Sequence, residues 1–339
     1  MNLAKKLTAV FLVIAMVLCF AACSTSEEET GLDIGTINMG FIATGDVEED
    51  PASAVYYNQF RDAYKLAGSG DGQVTVENKV KPDDADAMAK AMDDLLARGC
   101  RLIIGTNPGY KDAFVKFADE NKNVFFALPG DNKEASTVND NLALLDVKKF
   151  EAEYLEGIAA GLSTETNKVA YIAEDALDSD INAFAKGVKK SNSGAEVFYI
   201  STEDVKEGVD KAIEKGCDVV YSANFVADEE SGEMFFTVPE SMNNVMTVNK
   251  IGKDGNEFVT GIGYNMDFLY TKVLLNTVNR SFGDLSKFSW GIKDGVFDVS
   301  PAKDEKIKSA VDAAKDKLMA GDNVVSAETE KLNADITVL

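Results

Sequence analysis

Short apolar runs rich in Val, Ile and Phe alternate with amphipathic stretches along most of this chain. MGFIAT (39–44), QVTVENKV (73–80), CRLIIG (100–105), VFFALP (124–129) and NLALLD (141–146) form one set. VAYIAE (169–174), EVFYIS (196–201), CDVVYS (217–222), MFFTVP (234–239) and NNVMTVNKIG (243–252) form another. Runs of this length predict buried strands, and the intervening segments, such as 55–66 and 181–190, space their apolar residues for helices. Strands alternating with helices predict βαβ units and parallel sheets.

The two sets are an internal repeat. ARGCRLIIGTN ends at Asn107 and IEKGCDVVYSAN at Asn224, an offset of 117 residues (224 minus 107). Met88, Met92, Leu95 and Leu96 have counterparts in the same register at Val205, Val209, Ala212 and Ile213. Gly99 and Gly216 suit the left-handed position that ends a helix. Cys100 and Cys217 then begin strands as small buried residues, too far apart in the repeat to pair. The fold class predicted is α/β, with two similar doubly wound lobes. The first runs over 35–146 and the second over 147–257, opened by a helix whose stripe is Val147, Phe150, Tyr154, Ile158 and Leu162. Residues 258–339 do not continue the repeat. They hold an apolar helix, an extended WGIKDGVFDVSP and a charged helix from 302 to 319. Such a segment is expected to cross the hinge and complete both lobes.

The amino terminus changes the picture of where the protein works. Lys5 and Lys6 precede an apolar run over 7–20, then Ala21, Ala22 and Cys23. The order charged, apolar, small predicts a secretory signal over 1–22. The run is about 14 residues, short of the roughly 20 a span needs. The small residues before a cysteine resemble a bacterial lipobox, with Phe20 as a departure, which makes Cys23 the lipidation site. The acidic STSEEETG that follows is expected as a disordered tether over 23–34. Two acyl chains on Cys23 anchor a protein that one chain holds only marginally.

Charge and composition exclude several classes. The formal balance is 34 minus 57, or −23, and such a surface repels nucleic acid. The chain has no histidine, which removes Ser-His-Asp triads, Cys-His pairs and His-ligated metal sites. No phosphate loop is present, GSGDG (68–72) sits between a helix and a strand, and DDADAMAKAMDD lacks the EF-hand spacing. No enzyme activity, cofactor or metal is expected.

Ligands of open parallel sheets bind beyond the strands' carboxyl ends. Two sheets facing one cleft therefore nominate Thr44, Asp46, Thr106, Asn107 and Asp131 from the first lobe. Glu174, Asp175, Ser222, Asn224, Phe225 and Glu240 come from the second. Most are polar groups able to orient a small ligand, and Phe225 offers a stacking face. Any one of them also serves as an ordinary turn residue.

Across the mature body the motifs GFIATGD, YYNQFRDAY, LLARGCRLIIGT, NVFFALPGD, FEAEYLEGIAAGLSTETNKVAYIAE, INAFAKGVKKSN, VTGIGYNMDFLYTK and GIKDGVFDVSP follow one another in an order that resembles the basic membrane protein family. These are substrate-binding lipoproteins of ABC transporters and include purine-nucleoside receptors. The resemblance implies a type I periplasmic-binding-protein fold with three hinge crossings. It implies capture of a ligand by hinge closure, a permease as partner, a membrane-anchored extracytoplasmic location, and purine nucleosides or bases as the ligand class. It adds Tyr57, Asn58, Tyr264 and Asn265 to the binding set, in places where the family carries His-Asp and Trp-Asp pairs. Ser53 stands where many relatives have an aromatic residue, and Glu240 has no clean counterpart. The alternative is a sensor or surface lipoprotein with the same fold and another small ligand.

Overall fold

In the computed structural model the described residues are 37–67, 73–131, 133, 139–174, 176–202, 204–222, 245–252, 256–279, 281–326 and 331–339. The strands are β1 (Asn38–Ile42), β2 (Val74–Glu77), β3 (Cys100–Gly105), β4 (Phe125–Pro129), β5 (Leu142–Val147), β6 (Lys168–Ile172), β7 (Glu196–Ile200), β8 (Val219–Ser222), β9 (Val245–Lys250), β10 (Glu257–Tyr264), β11 (Ser289–Trp290), β12 (Phe297–Val299) and β13 (Ile336–Val338). The helices are α1 (Pro51–Leu66), α2 (Ala85–Ala97), α3 (Lys111–Glu120), α4 (Lys149–Ser163), α5 (Asp178–Ser191), α6 (Val205–Glu214), α7 (Met266–Val278) and α8 (Glu305–Met319).

Two sheets result. The first has the order β11-β5-β4-β3-β1-β2 and is parallel throughout. Its core packs Leu95, Met92 and Phe114 against Ile103, Phe126 and Leu144. The second has the order β12-β10-β9-β8-β6-β7-β13. There the expected parallel direction holds only for β13, β7, β6 and β8, and β9 runs antiparallel to β8, β10 to β9, and β12 to β10. An apolar run has no direction written in it, so VMTVNK was legible as a strand but not as a reversed one. MFFTVP lies outside the described residues.

Local chemistry fixes the ends of the helices. Asp50, Asp84, Asp204 and Asp304 accept hydrogen bonds from backbone N–H groups of the first turns of α1, α2, α6 and α8, satisfying donors that a helix leaves unpaired. Gly99 and Gly216 have φ of +73° and +79°, as the repeat predicts. Cys100 and Cys217 are free and buried. Asp218 ties the turn after α4 to β8, accepting from the Thr164 hydroxyl at 2.5 Å, Glu165 N at 2.7 Å, and Thr166 at N and Oγ1. Burial pushes its carboxyl up, but these hydrogen bonds win and hold it below the ordinary range.

Helix α4 departs from the single stripe expected of it. It is buried on nearly every side, including Glu153 and Glu156, because it packs against β8, β9 and β10 as well as α5 and α8. Its contact with α5 runs through glycine. A Cβ on Gly157 would collide with Phe184 O, and one on Gly187 would collide with Tyr154 O.

Candidate functional site

Among the described residues the chain passes between the two sheets three times: from β5 into α4, from β10 into α7, and from β11 into β12. Helix α7 belongs with the first sheet, where it packs on α1 and sets Tyr270 edge-on to Phe60 at 5.4 Å. The turn 282–287 caps β5, with Ser286 Oγ accepting from Leu144 N at 2.7 Å and Phe282 against Phe125 at 4.9 Å. The third crossing is hydrogen-bonded to each of the other two. Lys148 N donates to Trp290 O at 2.8 Å, and Asn265 N donates to Val296 O at 2.8 Å. Asn265 Nδ2 donates to Gly295 O at 3.0 Å, and Ile292 N to the Glu151 carboxylate at 2.8 Å.

This topology orients both sheets. β5 and β11 leave the first sheet from their carboxyl ends, so that edge abuts the crossings. β10 leaves the second sheet from its carboxyl end, and β6, β7 and β8 are parallel to it through the doubly reversed β9. The carboxyl ends of both parallel sets therefore lie at the crossing level.

The strand-end residues have these surroundings. Asp46 accepts from Glu48 N at 3.0 Å and lies 3.0 Å from Lys79 Nζ. These contacts, the loop N–H first, lower its pKa. Thr106 Oγ1 donates back to Ile42 O at 3.3 Å. Asn107 Oδ1 accepts from Gly109 N at 2.8 Å and caps the turn 108–110. Asp131 is exposed and accepts from Lys133 N at 2.8 Å. Asn58 is exposed on α1, while Tyr57 lies against Phe41 at 5.5 Å with the Arg61 guanidinium 5.9 Å from its ring. Tyr264 is half-buried with its ring 5.3 Å from Phe297, and Asn265 staples the crossings. Asn224, Phe225, Glu240, Asp175 and Cys23 lie outside the described residues.

A cluster that sequence analysis missed joins the two sheets. Lys149, on the first turn of α4, places Nζ 3.1 Å from Glu153 Oε1 and 3.6 Å from Asp180 Oδ2. The Tyr171 hydroxyl donates to Glu153 Oε1 at 3.2 Å. Tyr264 and Tyr56, the latter on α1 of the first sheet's side, interact electrostatically with Lys149 and with each other. Burial pushes the Glu153 carboxyl up to about 7, with Lys149 pulling the other way. Burial opposes the charge on Lys149, yet the carboxylates of Glu153 and Asp180 outweigh it and hold the ammonium protonated. Burial also raises Asp180. The only signals in the sequence were an i,i+4 Lys-Glu pair and an acid in a first helical turn, both of which read as surface features.

Among the described residues no group of His, Cys, Asp or Glu side chains is arranged to hold a metal ion, and no helix is long and apolar enough to cross a membrane. A cavity of about 600 Å³ lies elsewhere, between α5 and the carboxyl-terminal segment, lined by Asn182, Lys186, Lys189, Lys331 and Asn333 among others. It touches β7 only near its start, at Val197, away from the carboxyl edge.

Comparison with known proteins agrees with this architecture. A solute-binding protein of an ABC transporter system from Conexibacter woesei superimposes with a TM-score of 0.62 at 16% identity, covering 86% of this chain and 99% of that one. A putative ABC transporter glucose-binding protein, TsgA13, from Haloferax volcanii is 27% identical over 128 residues, 35% of this chain and 32% of that protein. The transcriptional activator protein med from Bacillus subtilis is 25% identical over 196 residues, 56% of each chain. The chain thus aligns with about a third and about half of the lengths of these two relatives. The family described as ABC transporter substrate-binding protein PnrA-like (Bmp) matches residues 55–323. With most of the sequence matched, the chain belongs to the Bmp family of ABC transporter substrate-binding proteins.

Proposed function

We propose that this protein is the extracytoplasmic receptor of an ABC importer, tethered through a lipid on Cys23, and that it captures a small ligand of the nucleoside class, chemically unchanged, for a membrane permease. The observation that carries this is the convergence of both sheets' carboxyl edges on three crossings, the third of which is hydrogen-bonded to each of the other two. A ligand bridging the two sides favours the closed arrangement by its differential affinity for that state. Asp46, Tyr57, Asn58, Thr106, Asn107, Asp131, Asn224, Phe225, Glu240, Tyr264 and Asn265 are the proposed contacts. Lobe boundaries at 146/147 and 257/258 go with the proposal. The mass of the mature amino-terminal peptide tests the anchor: a diacylated Cys23 is expected, and an unmodified or differently cleaved terminus excludes it.

The single tryptophan gives a direct test of ligand capture. Trp290 is buried at a crossing, between Phe268 at 6.4 Å and Phe288 at 6.1 Å, and its carbonyl accepts from Lys148 N. Closure is expected to change its emission saturably on titration with adenosine, guanosine or inosine, with Kd on the order of nanomolar to micromolar, equivalent to about −8 to −12 kcal/mol. Silence in both emission and calorimetry across the nucleosides removes that ligand class. A second reading, ligand sensing without transport, is favoured by the likeness to the Bacillus subtilis activator. Unimpaired nucleoside uptake after deletion of the gene selects it over transport.

A further inference from the structure

The Lys149 cluster says more about the ligand than the strand ends do. Glu153 is fully buried and Asp180 nearly so, with side-chain exposures of 0% and 6%, whereas Lys149 retains 24%. Tyr56 and Tyr264 are crowded by other groups yet remain partly accessible to solvent. Lys149, Tyr56 and Tyr264 are thus half-buried side chains contributed from the sides of both sheets.

An ammonium carries three N–H donors and no acceptor. One is committed to Glu153 at 3.1 Å and a second is directed to Asp180 at 3.6 Å. The two carboxylates also hold the side chain in one place, removing the freedom that a lysine otherwise loses on binding. We propose that Lys149 is a ligand-binding residue that presents its remaining donor to a crevice between Tyr56 and Tyr264, selecting an uncharged polar ligand with an acceptor atom at that point. Two acids around one ammonium leave no surplus positive charge for an anion. A cationic ammonium group offers only N–H donors and so finds no acceptor on the Lys149 side chain. The phenol hydroxyls of Tyr56 and Tyr264, each both donor and acceptor, suit the hydroxyl or ring-nitrogen groups of such a ligand.

This inference rests on the crevice being the receptor's ligand site, and the experiment separates the two. Calorimetry is run on the full mature chain with adenosine, inosine and glucose as uncharged probes, AMP and glutamate as anions, and putrescine as a cation. Binding of an uncharged probe is expected, with a loss of about 10- to 100-fold in Kd for Lys149→Met, the effect of removing one charge-assisted hydrogen bond. Lys149→Arg, which keeps the donor, should lose less. Because Lys149→Met strands a buried carboxylate, the double variant Lys149→Met with Glu153→Gln is measured beside it and should show the same loss. Wild-type binding of an uncharged probe that neither folded variant weakens by more than about threefold overturns the role of Lys149 and leaves the receptor reading intact. Tighter binding of AMP, glutamate or putrescine than of every uncharged probe overturns the selection. No binding of any probe to the wild type overturns the inference together with the crevice assignment.

Discussion

Gly157→Ala is expected to lower the stability of the protein by about 2–4 kcal/mol, and Gly157→Val by more. Glycine inside a helix ordinarily costs about 1 kcal/mol relative to alanine, so on an isolated helix the first change would be stabilising. Here α4 and α5 touch through their backbones. The added Cβ runs into Phe184 O, and it meets Phe184 C at 2.9 Å and Gly187 Cα at 3.1 Å. None of these is a flexible side-chain tip, so relief requires the helices to part, and α4 is also held by the second sheet and α8. Gly187 makes the reciprocal approach to Tyr154 O and Ile158 N. Urea unfolding followed by circular dichroism measures the effect, with Gly252→Ala as control, since nothing lies within 4 Å of a Cβ there. Equal stabilities for the two alanine variants would show that the helix contact is looser than described.

Glu156→Met should act in the opposite direction, stabilising the protein by about 1–3 kcal/mol at neutral pH. Glu156 is 1% exposed, and neither carboxylate oxygen has a hydrogen-bond partner among the described residues. Burial, and then the neighbouring Glu153 carboxylate, push its pKa well above the ordinary value of 4.5. The folded protein therefore keeps Glu156 neutral while the unfolded chain ionises it. Its contribution is fully present below about pH 4.5 and is lost as pH rises towards the folded-state pKa, a roughly tenfold loss in folding equilibrium per pH unit within that window. Glu153, raised to about 7, adds to the same slope over the lower part of the window. Wild-type stability should thus fall between about pH 5 and pH 7 more steeply than that of Glu156→Met, and the gain should grow with pH. Glu156→Gln keeps an unpaired polar group and should recover less. A variant with the wild-type slope, or with lower stability at neutral pH, would refute the neutral buried carboxyl.

Most of the architecture was legible because the repeat pins it. Gly99 and Gly216 mark the helix ends in both repeats with positive φ, and both cysteines are buried; Cys100 opens β3, whereas β8 starts at Val219, two residues beyond Cys217. Strand direction was less accessible, as β9 shows, because alternation along a strand looks the same from either end. β13 was missed because Ile336–Val338 is too short to stand out as an apolar run. At the candidate site, Asp46, Thr106 and Asn107 could be placed at strand ends by position alone. Lys149, Glu153 and Asp180 could not, since a Lys-Glu pair one turn apart is an ordinary solvated pair until the whole helix is enclosed. The adjacent tyrosines of α1 pose a similar difficulty, because their surroundings depend on the rotation of the helix: Tyr57 packs on Phe41, while its neighbour Tyr56 feels the charge of Lys149.

The shuttling path of the chain has a consequence for its birth. Ser289–Trp290 pairs beside β5 and so closes the border of a sheet that begins at Asn38. During synthesis the amino-terminal half emerges with that border bare and stays so until Trp290 has followed. The first sheet therefore gains its full set of strands only after most of the chain has been made.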